Sequence, residues 1–334
     1  MDGRRHAAAP APSDFELLAA LQKLIPAEAM LIGDGLEITS RRRNEYTSSS
    51  QSEIVTVRQP SGACRELLVK YARTAPDPEP RCRQGIEYCA RVYRHLVARL
   101  PISHLTAWGM IHVGDPPVAG LVIDHLTPCL RVSEAPDESG IIAAAEWCGR
   151  FHRFGETVRQ DESLQFLVRY DRTHYRAWAT RAMAIAAAAG GTPAWLTRLC
   201  AAFEERCDLL ADAPATTIHG EFGPQNVLWQ DGVIYPIDWE SAAIGPGEID
   251  LAALLFNWPT DIVVRCTASY WQARGESRPD SFAAVWDTAT LFTALRWLPD
   301  FDGPRGNAAG TPGGEPLRQS LAMLQRTGQS LRII

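Results

Sequence analysis

A chain of 334 residues with 46% hydrophobic and 22% charged residues can hold one large or two modest domains around a substantial core. Its formal net charge of −6 argues against a general nucleic-acid binder, which carries a basic face. No apolar run approaches the roughly 20 residues that span a bilayer, so neither nucleic acid nor membrane is an expected partner. The start, MDGRRHAAAPAPSD, has two arginines but lacks the apolar stretch of a secretory signal. Eight cysteines without paired spacing read as reduced core residues of a cytoplasmic protein rather than a zinc site or a disulfide framework.

Residues 1–13 are Ala/Pro-rich and predict a disordered tail. A short helix follows from Asp14, the candidate N-cap, to Leu24. Strand-like runs then cover 36–42, 53–58 and 65–72, the last two joined by the turn Gln59-Pro60-Ser61-Gly62. Arg41-Arg42-Arg43 suits a solvated strand edge or a phosphate contact. The third strand contains Lys70, and only two of the 33 basic residues are lysines. A charge in an apolar strand is costly unless paired. The compact ammonium suits a point contact to phosphate and carboxylate, or else the residue reaches water from a strand edge.

Ile86, Cys89, Ala90, Tyr93, Leu96, Val97 and Leu100 recur at helical spacing and predict a helix over 83–99 with Glu87 bordering its apolar stripe. A strand over 118–124 is followed by helical segments at 141–154, 164–189 and 192–210. Further helices carry Tyr270, Trp271, Trp286 and Trp297, which suit a core or a cation–π frame for a quaternary ammonium. Residues 301–316 are Gly/Pro-rich and predict a flexible loop.

The segment 218–240, IHGEFGPQNVLWQDGVIYPIDWE, carries the chemistry. Two short apolar runs flank Gln230-Asp231-Gly232, a strong hairpin signal. The hairpin brings Asn226 and Asp238 side by side. One amide oxygen and one carboxylate form a hard-oxygen site suited to Mg²⁺, which takes its remaining ligands from phosphate and water. Glu221, five residues before Asn226, then lies within reach of a bound substrate.

This pattern resembles the catalytic segment of the aminoglycoside phosphotransferase and choline kinase-like family, small-molecule relatives of the protein kinases. The matching residues are His219, Gly220, Glu221, Asn226, Ile237, Asp238 and Trp239. The resemblance implies an α+β, protein-kinase-like two-lobe fold. Its N-lobe, residues 14–125, would hold a small antiparallel sheet and one long helix; a larger, mostly helical C-lobe would cover 126–334. It implies transfer of the γ-phosphoryl group of ATP or GTP to a hydroxyl of a small metabolite or antibiotic, with Mg²⁺ held by Asn226 and Asp238. Glu221 would orient the acceptor hydroxyl and take its proton, and His219 would fix the loop. Lys70, oriented by Glu87 in a buried pair, would contact the α/β-phosphates, although Glu87 could instead pair with Arg91 on the helix surface. Ser48, Ser49 and Ser50 occupy the place of the phosphate-covering loop, and Ile123-Asp124 that of the hinge strand holding the adenine. Asp250 matches an aspartate that braces the catalytic loop, and Glu240 would support the metal or face solvent.

One departure stands out: Glu221 replaces the family's usual Asp. If Gly223 lends the loop enough freedom to set the longer side chain back, the enzyme is active. Otherwise the protein binds nucleotide with little transfer, as a pseudokinase or regulatory protein. From Glu248 onward acids and arginines nearly balance, which gives no hint of an anionic groove for a polycationic acceptor.

Overall fold

The computed structural model describes residues 12–25, 35–46, 51–72, 83–298 and 315–334. Ser48, Ser49, Ser50 and nearly all of the predicted tail and 301–316 loop lie outside these. The chain divides into two compact units. The described residues of Met1–Pro76, Gln84–Arg99 and His104–Pro128 form the first; those of Asp77–Arg83, Leu100–Ser103 and Cys129–Ile334 form the second.

The first unit is a five-stranded antiparallel sheet in the order β1-β2-β3-β5-β4. The strands are β1 (Glu37–Arg43), β2 (Ser52–Arg58), β3 (Cys64–Tyr71), β4 (Ala107–Val113) and β5 (Val118–Asp124). Leu67, Val69, Val55, Val57, Ile111 and Val122 build its core together with Leu17 and Leu21 of α1 (Asp14–Leu24). Ser13 rather than Asp14 caps α1, through a capping box with Glu16. β4 has no counterpart in the expected elements. The helix expected over 83–99 runs only from Ile86 to His95 (α2), followed by a tight turn over Val97–Arg99. It starts late because Gly85 takes φ +96°, outside helical space. Among the described residues of the unit, α1 has 11 residues, as expected over 14–24, and α2 has 10, shorter than the helix expected over 83–99.

The second unit is mostly helical. Its helices are α3 (Ser139–Val158), α4 (Arg172–Ala188), α5 (Ala194–Ala211), α6 (Glu248–Leu254), α7 (Thr260–Arg274), α8 (Phe282–Arg296) and α9 (Glu315–Ser330). The helix expected over 164–189 is interrupted, because Val168–Arg169 form a strand (β7) and Asp171 caps α4 by accepting from His174 N. Two small sheets carry the connecting loops. One pairs β6 (Leu130–Arg131) with the hairpin β9 (Val227–Gln230) and β10 (Val233–Pro236). The other has the order β7-β11-β8, with β8 spanning Ala215–Ile218 and β11 spanning Ala243–Pro246. The core gathers Trp178, Tyr175, Phe203 and Phe292 from α4, α5 and α8. Tyr270 and Trp271 are buried, and Trp271 stacks with Arg274 of its own helix, so these rings are core rather than a ligand frame.

Candidate active site

The loop after β8 is built from backbone constraints inward. Asp250, on the first turn of α6, accepts backbone N–H groups from His219 (2.6 Å) and Gly220 (2.8 Å). Gly220 takes φ +81°, and a Cβ there would lie 2.0 Å from the Ser241 carbonyl oxygen, so only glycine fits. Gly223, expected to supply the loop's freedom, has an ordinary φ of −82°. The tight approach is made at Gly220 instead.

His219 is fully buried and uses both ring nitrogens. Nε2 donates to the Ile237 carbonyl at 2.8 Å and Nδ1 accepts from Glu221 N at 3.3 Å. That arrangement requires the neutral ring. Burial pushes its pKa below the usual histidine range, against the opposing pull of Asp250.

The hairpin turns at Asp231 (φ +49°) and Gly232 (φ +81°), the primed-turn geometry that an Asp-Gly pair favours. Its register pairs Val227 with Pro236, and Ile237 N donates to the Asn226 carbonyl at 2.9 Å. Asn226 and Asp238 thus sit at the open end of one ladder. Asn226 Nδ2 donates to the Glu221 carbonyl at 3.0 Å, so its amide nitrogen is committed and Oδ1 is the remaining ligand atom. Asp238 adopts the left-handed conformation (φ +64°, ψ +56°), which an aspartate tolerates better than most residues. The donor set of one amide oxygen and one carboxylate fits a hard cation such as Mg²⁺, with Glu240, buried two residues on, adding a second carboxylate.

Two arginines that the sequence reading missed hold Glu221. Arg83 Nε donates to Oε2 at 3.1 Å, and Arg296 Nη2 lies 3.8 Å from Oε1. Arg296 also donates through Nη1 to the Gly220 carbonyl, and its guanidinium lies over the rings of Trp178 and Phe292. Side-chain exposures are 15% for Arg83, 6% for Arg296 and 19% for Glu221, so the cluster is largely but not wholly shut off from water. Burial opposes the Arg83 charge, yet Glu221, Asp238 and Glu240 together hold its pKa above the ordinary range. The signal for Arg296 lay in its setting, an arginine within the apolar run LFTALRWL.

Behind the loop, His152 of α3 bridges Asp250 (Nε2, 3.1 Å) and Tyr270 Oη (Nδ1, 2.8 Å). Arg274 Nη1 donates to Tyr270 Oη at 2.7 Å and also pairs with Glu156. Cys148, His152 and Asp250 lie close enough to enclose a metal. Both imidazole nitrogens are already engaged, however, so the trio works as a hydrogen-bonded brace.

In the first unit Lys70 is buried on β3, opposite Ser52 of β2 and Leu121 of β5. Glu87 is exposed on the first turn of α2, not buried as expected. Arg41 forks onto Glu53 through Nε and Nη2, each at 2.8 Å, and Tyr71 Oη donates to the same carboxylate at 2.5 Å. Arg41 is therefore a structural pair and not a phosphate contact. Ile123 and Asp124 are the last two residues of the interior strand β5, and Asp124 N donates to the Thr106 carbonyl at 2.9 Å. The Asp124 carboxylate accepts from Trp108 Nε1 at 2.8 Å.

An antiparallel sheet unit and a helical unit whose buried loop leads into a hairpin define a protein-kinase-like phosphotransferase fold. The chain belongs to the phosphotransferase enzyme family, whose sequence profile matches residues 48–306. No curated protein matches the chain by sequence. Among solved structures, the microcompartment-associated aminopropanol kinase aligns over 95% of this chain and 99% of its own, with 14% identity and a TM-score of 0.65. The GDP complex of aminoglycoside 2'-phosphotransferase-IIIa aligns over 94% and 99%, with 13% identity and a TM-score of 0.62. Macrolide 2'-phosphotransferase MphH from Brachybacterium faecium aligns over 87% and 94%, with 17% identity and a TM-score of 0.57. At these identities the likeness is one of fold.

Proposed function

We propose that this protein transfers the γ-phosphoryl group of ATP or GTP to a hydroxyl of a small molecule, as an enzyme of the cytoplasm. The observation that carries the reading is the gathering of Glu221, Asn226 and Asp238 on one braced loop and hairpin. Glu221 orients the acceptor hydroxyl and receives its proton, while His219, Asp250 and Arg296 hold the loop in place. Asn226 and Asp238 would hold Mg²⁺, which would supply charge neutralisation on the phosphates when bound. In the other unit, Lys70 contacts the α/β-phosphates without the exposed Glu87 as its partner, Ser48–Ser50 bind the same phosphates, and the chain at Ile123-Asp124 receives the base. Phosphoryl transfer rests on positioning and electrostatics, and a loop this tightly hydrogen-bonded supplies both.

The substrates of the structural relatives set the panel to test: aminoglycosides such as kanamycin and gentamicin, macrolides, and amino alcohols. Purified protein with Mg²⁺ and ATP or GTP is expected to release the nucleoside diphosphate in the presence of one acceptor class. Asp238→Ala and Glu221→Ala proteins are expected to lose that release, and equal turnover in either would sink the assignment. The second reading, a nucleotide binder with little transfer, draws on the ion pairing at both oxygens of Glu221. Thermal stabilisation by nucleotide with no acceptor-dependent release would establish it.

A further inference from the structure

The two arginines at Glu221 come from different kinds of structure. Arg296 is tied to the Gly220 carbonyl and packed on two aromatic rings, so it braces the loop whatever Glu221 does. Arg83 comes instead from an irregular stretch just before Gly85, and its side chain enters the cluster from outside the helices. Its charge is sustained by three carboxylates, Glu221, Asp238 and Glu240. On the proposed function, two of these change during turnover. Asp238 is shared with a cation, and Glu221 becomes neutral when it takes the acceptor's proton. A largely buried guanidinium would then lose its compensation unless another anion joined it. The reaction supplies that anion next to Glu221, in the phosphoryl group being transferred.

We propose that Arg83 is a further catalytic residue that exchanges its Glu221 contact for the γ-phosphoryl group during transfer. The inference rests on the phosphotransferase reading above. In the step, the acceptor oxygen bonds to the γ-phosphorus while the bond from that phosphorus to the β–γ bridging oxygen breaks. The electron pair stays with the departing diphosphate, and the hydroxyl proton passes to Glu221. The guanidinium's planar fork matches the phosphoryl oxygens, and its attraction to them grows as the carboxylate beside it is neutralised. Arginines aimed at a transferring phosphoryl group accelerate such reactions by about 10³–10⁵.

The test uses the full chain as Arg83→Gln and Arg83→Lys, with two readouts. In thermal unfolding, the wild type is expected to gain more from Mg²⁺-ATP than from Mg²⁺-ADP at equal concentration. Arg83→Gln should keep the ADP increment and lose the extra ATP increment. In steady-state kinetics with the best acceptor and a second, uncharged one, kcat should fall about 10²-fold or more for both. Acceptor KM should move by less than about threefold, and Arg83→Lys should recover part of kcat. Should Arg83→Gln fail to fold, the same comparison is read from Arg83→Lys. An unchanged kcat, an unchanged ATP-over-ADP increment, or a loss confined to KM for one of the two acceptors would overturn the proposal; the last would make Arg83 a reader of the acceptor. If the wild type itself turns over no acceptor, the phosphotransferase reading fails separately, and the ATP-over-ADP increment still decides whether Arg83 meets the γ-phosphate.

Discussion

Two carboxylates govern the same loop in opposite ways. Asp250 is fully buried and saturated, with two backbone N–H groups on its oxygens and a neutral His152 behind it, itself locked by Tyr270 and Arg274. Glu221 is 19% exposed and its carboxylate is held by side chains, with Arg83 donating to one oxygen and Arg296 near the other. The first arrangement has nothing left to exchange and therefore fixes geometry. The second can trade partners, since water reaches it and its contacts are side chains rather than backbone. A phosphoryl-transfer loop needs both properties, and here they are separated between two different carboxylates, Asp250 and Glu221.

The largest effect should come from breaking the rigid half. Asp250→Ala strands two buried N–H groups and His152, and is expected to cost about 3–5 kcal/mol in urea unfolding, enough to unfold a marginal protein. Glu221→Gln should cost less, about 1–2 kcal/mol, because Arg83 keeps Asp238 and Glu240 near it when the Glu221 charge is lost, while acceptor-dependent turnover falls about 10²-fold or more. If both substitutions shift the unfolding midpoint equally, the division between scaffold and exchangeable group is wrong. Glu221→Asp sharpens the contrast further. Arg83 and Arg296 meet the oxygens of the longer side chain, so shortening it toward the family's usual residue should reduce kcat about tenfold or more. A faster Glu221→Asp enzyme would mean that the glutamate is a defect. Tyr270→Phe, which removes the hydroxyl between His152 and Arg274, should cost about 1–2 kcal/mol with turnover per folded molecule preserved.

The legible parts of this molecule were the local ones. Asp231-Gly232 dictates a primed turn, the turn fixes the register, and the register brings Asn226 beside Asp238. Lys70 was legible as a charge in an apolar strand, and the same reasoning applied to Arg296 would have flagged it within α8. Arg83 carried no such mark, being one of many arginines and 138 residues from the glutamate it holds. The strand β4 escaped because Gly109 sits where the register slips, which blurs the alternation of Ala-Trp-Gly-Met-Ile-His-Val. The false continuity of 164–189 arose because β7 is two residues long and pairs only with β11, remote in sequence. Asp171, an N-cap residue in plain view, was the local sign of the break. The long-range pairings that hold Glu221 have no period or spacing, so only the fold reveals them.

The smallest expected effect, a dependence of stability on pH, bears on the two halves through one histidine behind each. His152 backs Asp250, and burial pushes its pKa down despite the carboxylate. His174 stacks on Tyr170 at 3.9 Å in the wall that also holds Arg296; burial, and then the Arg296 charge, push its pKa down from 6.5 to about 4. Both rings are neutral in the folded protein at pH values where the unfolded chain already binds a proton. The unfolded state therefore takes up more protons as pH falls, and stability declines in that direction. The contribution is complete above about 6.5 and is lost as pH drops toward about 4. Urea midpoints measured from pH 8 to pH 5 should fall steadily below about 6.5. His174→Gln should flatten that slope on the side of the Glu221 clamp. His152→Gln should lower the midpoint at every pH, because it also cuts the link from Asp250 to Tyr270. A His174→Gln protein with the wild-type slope would show that this ring is solvated when protonated, and that the wall behind Arg296 opens to water more readily than the brace behind Asp250.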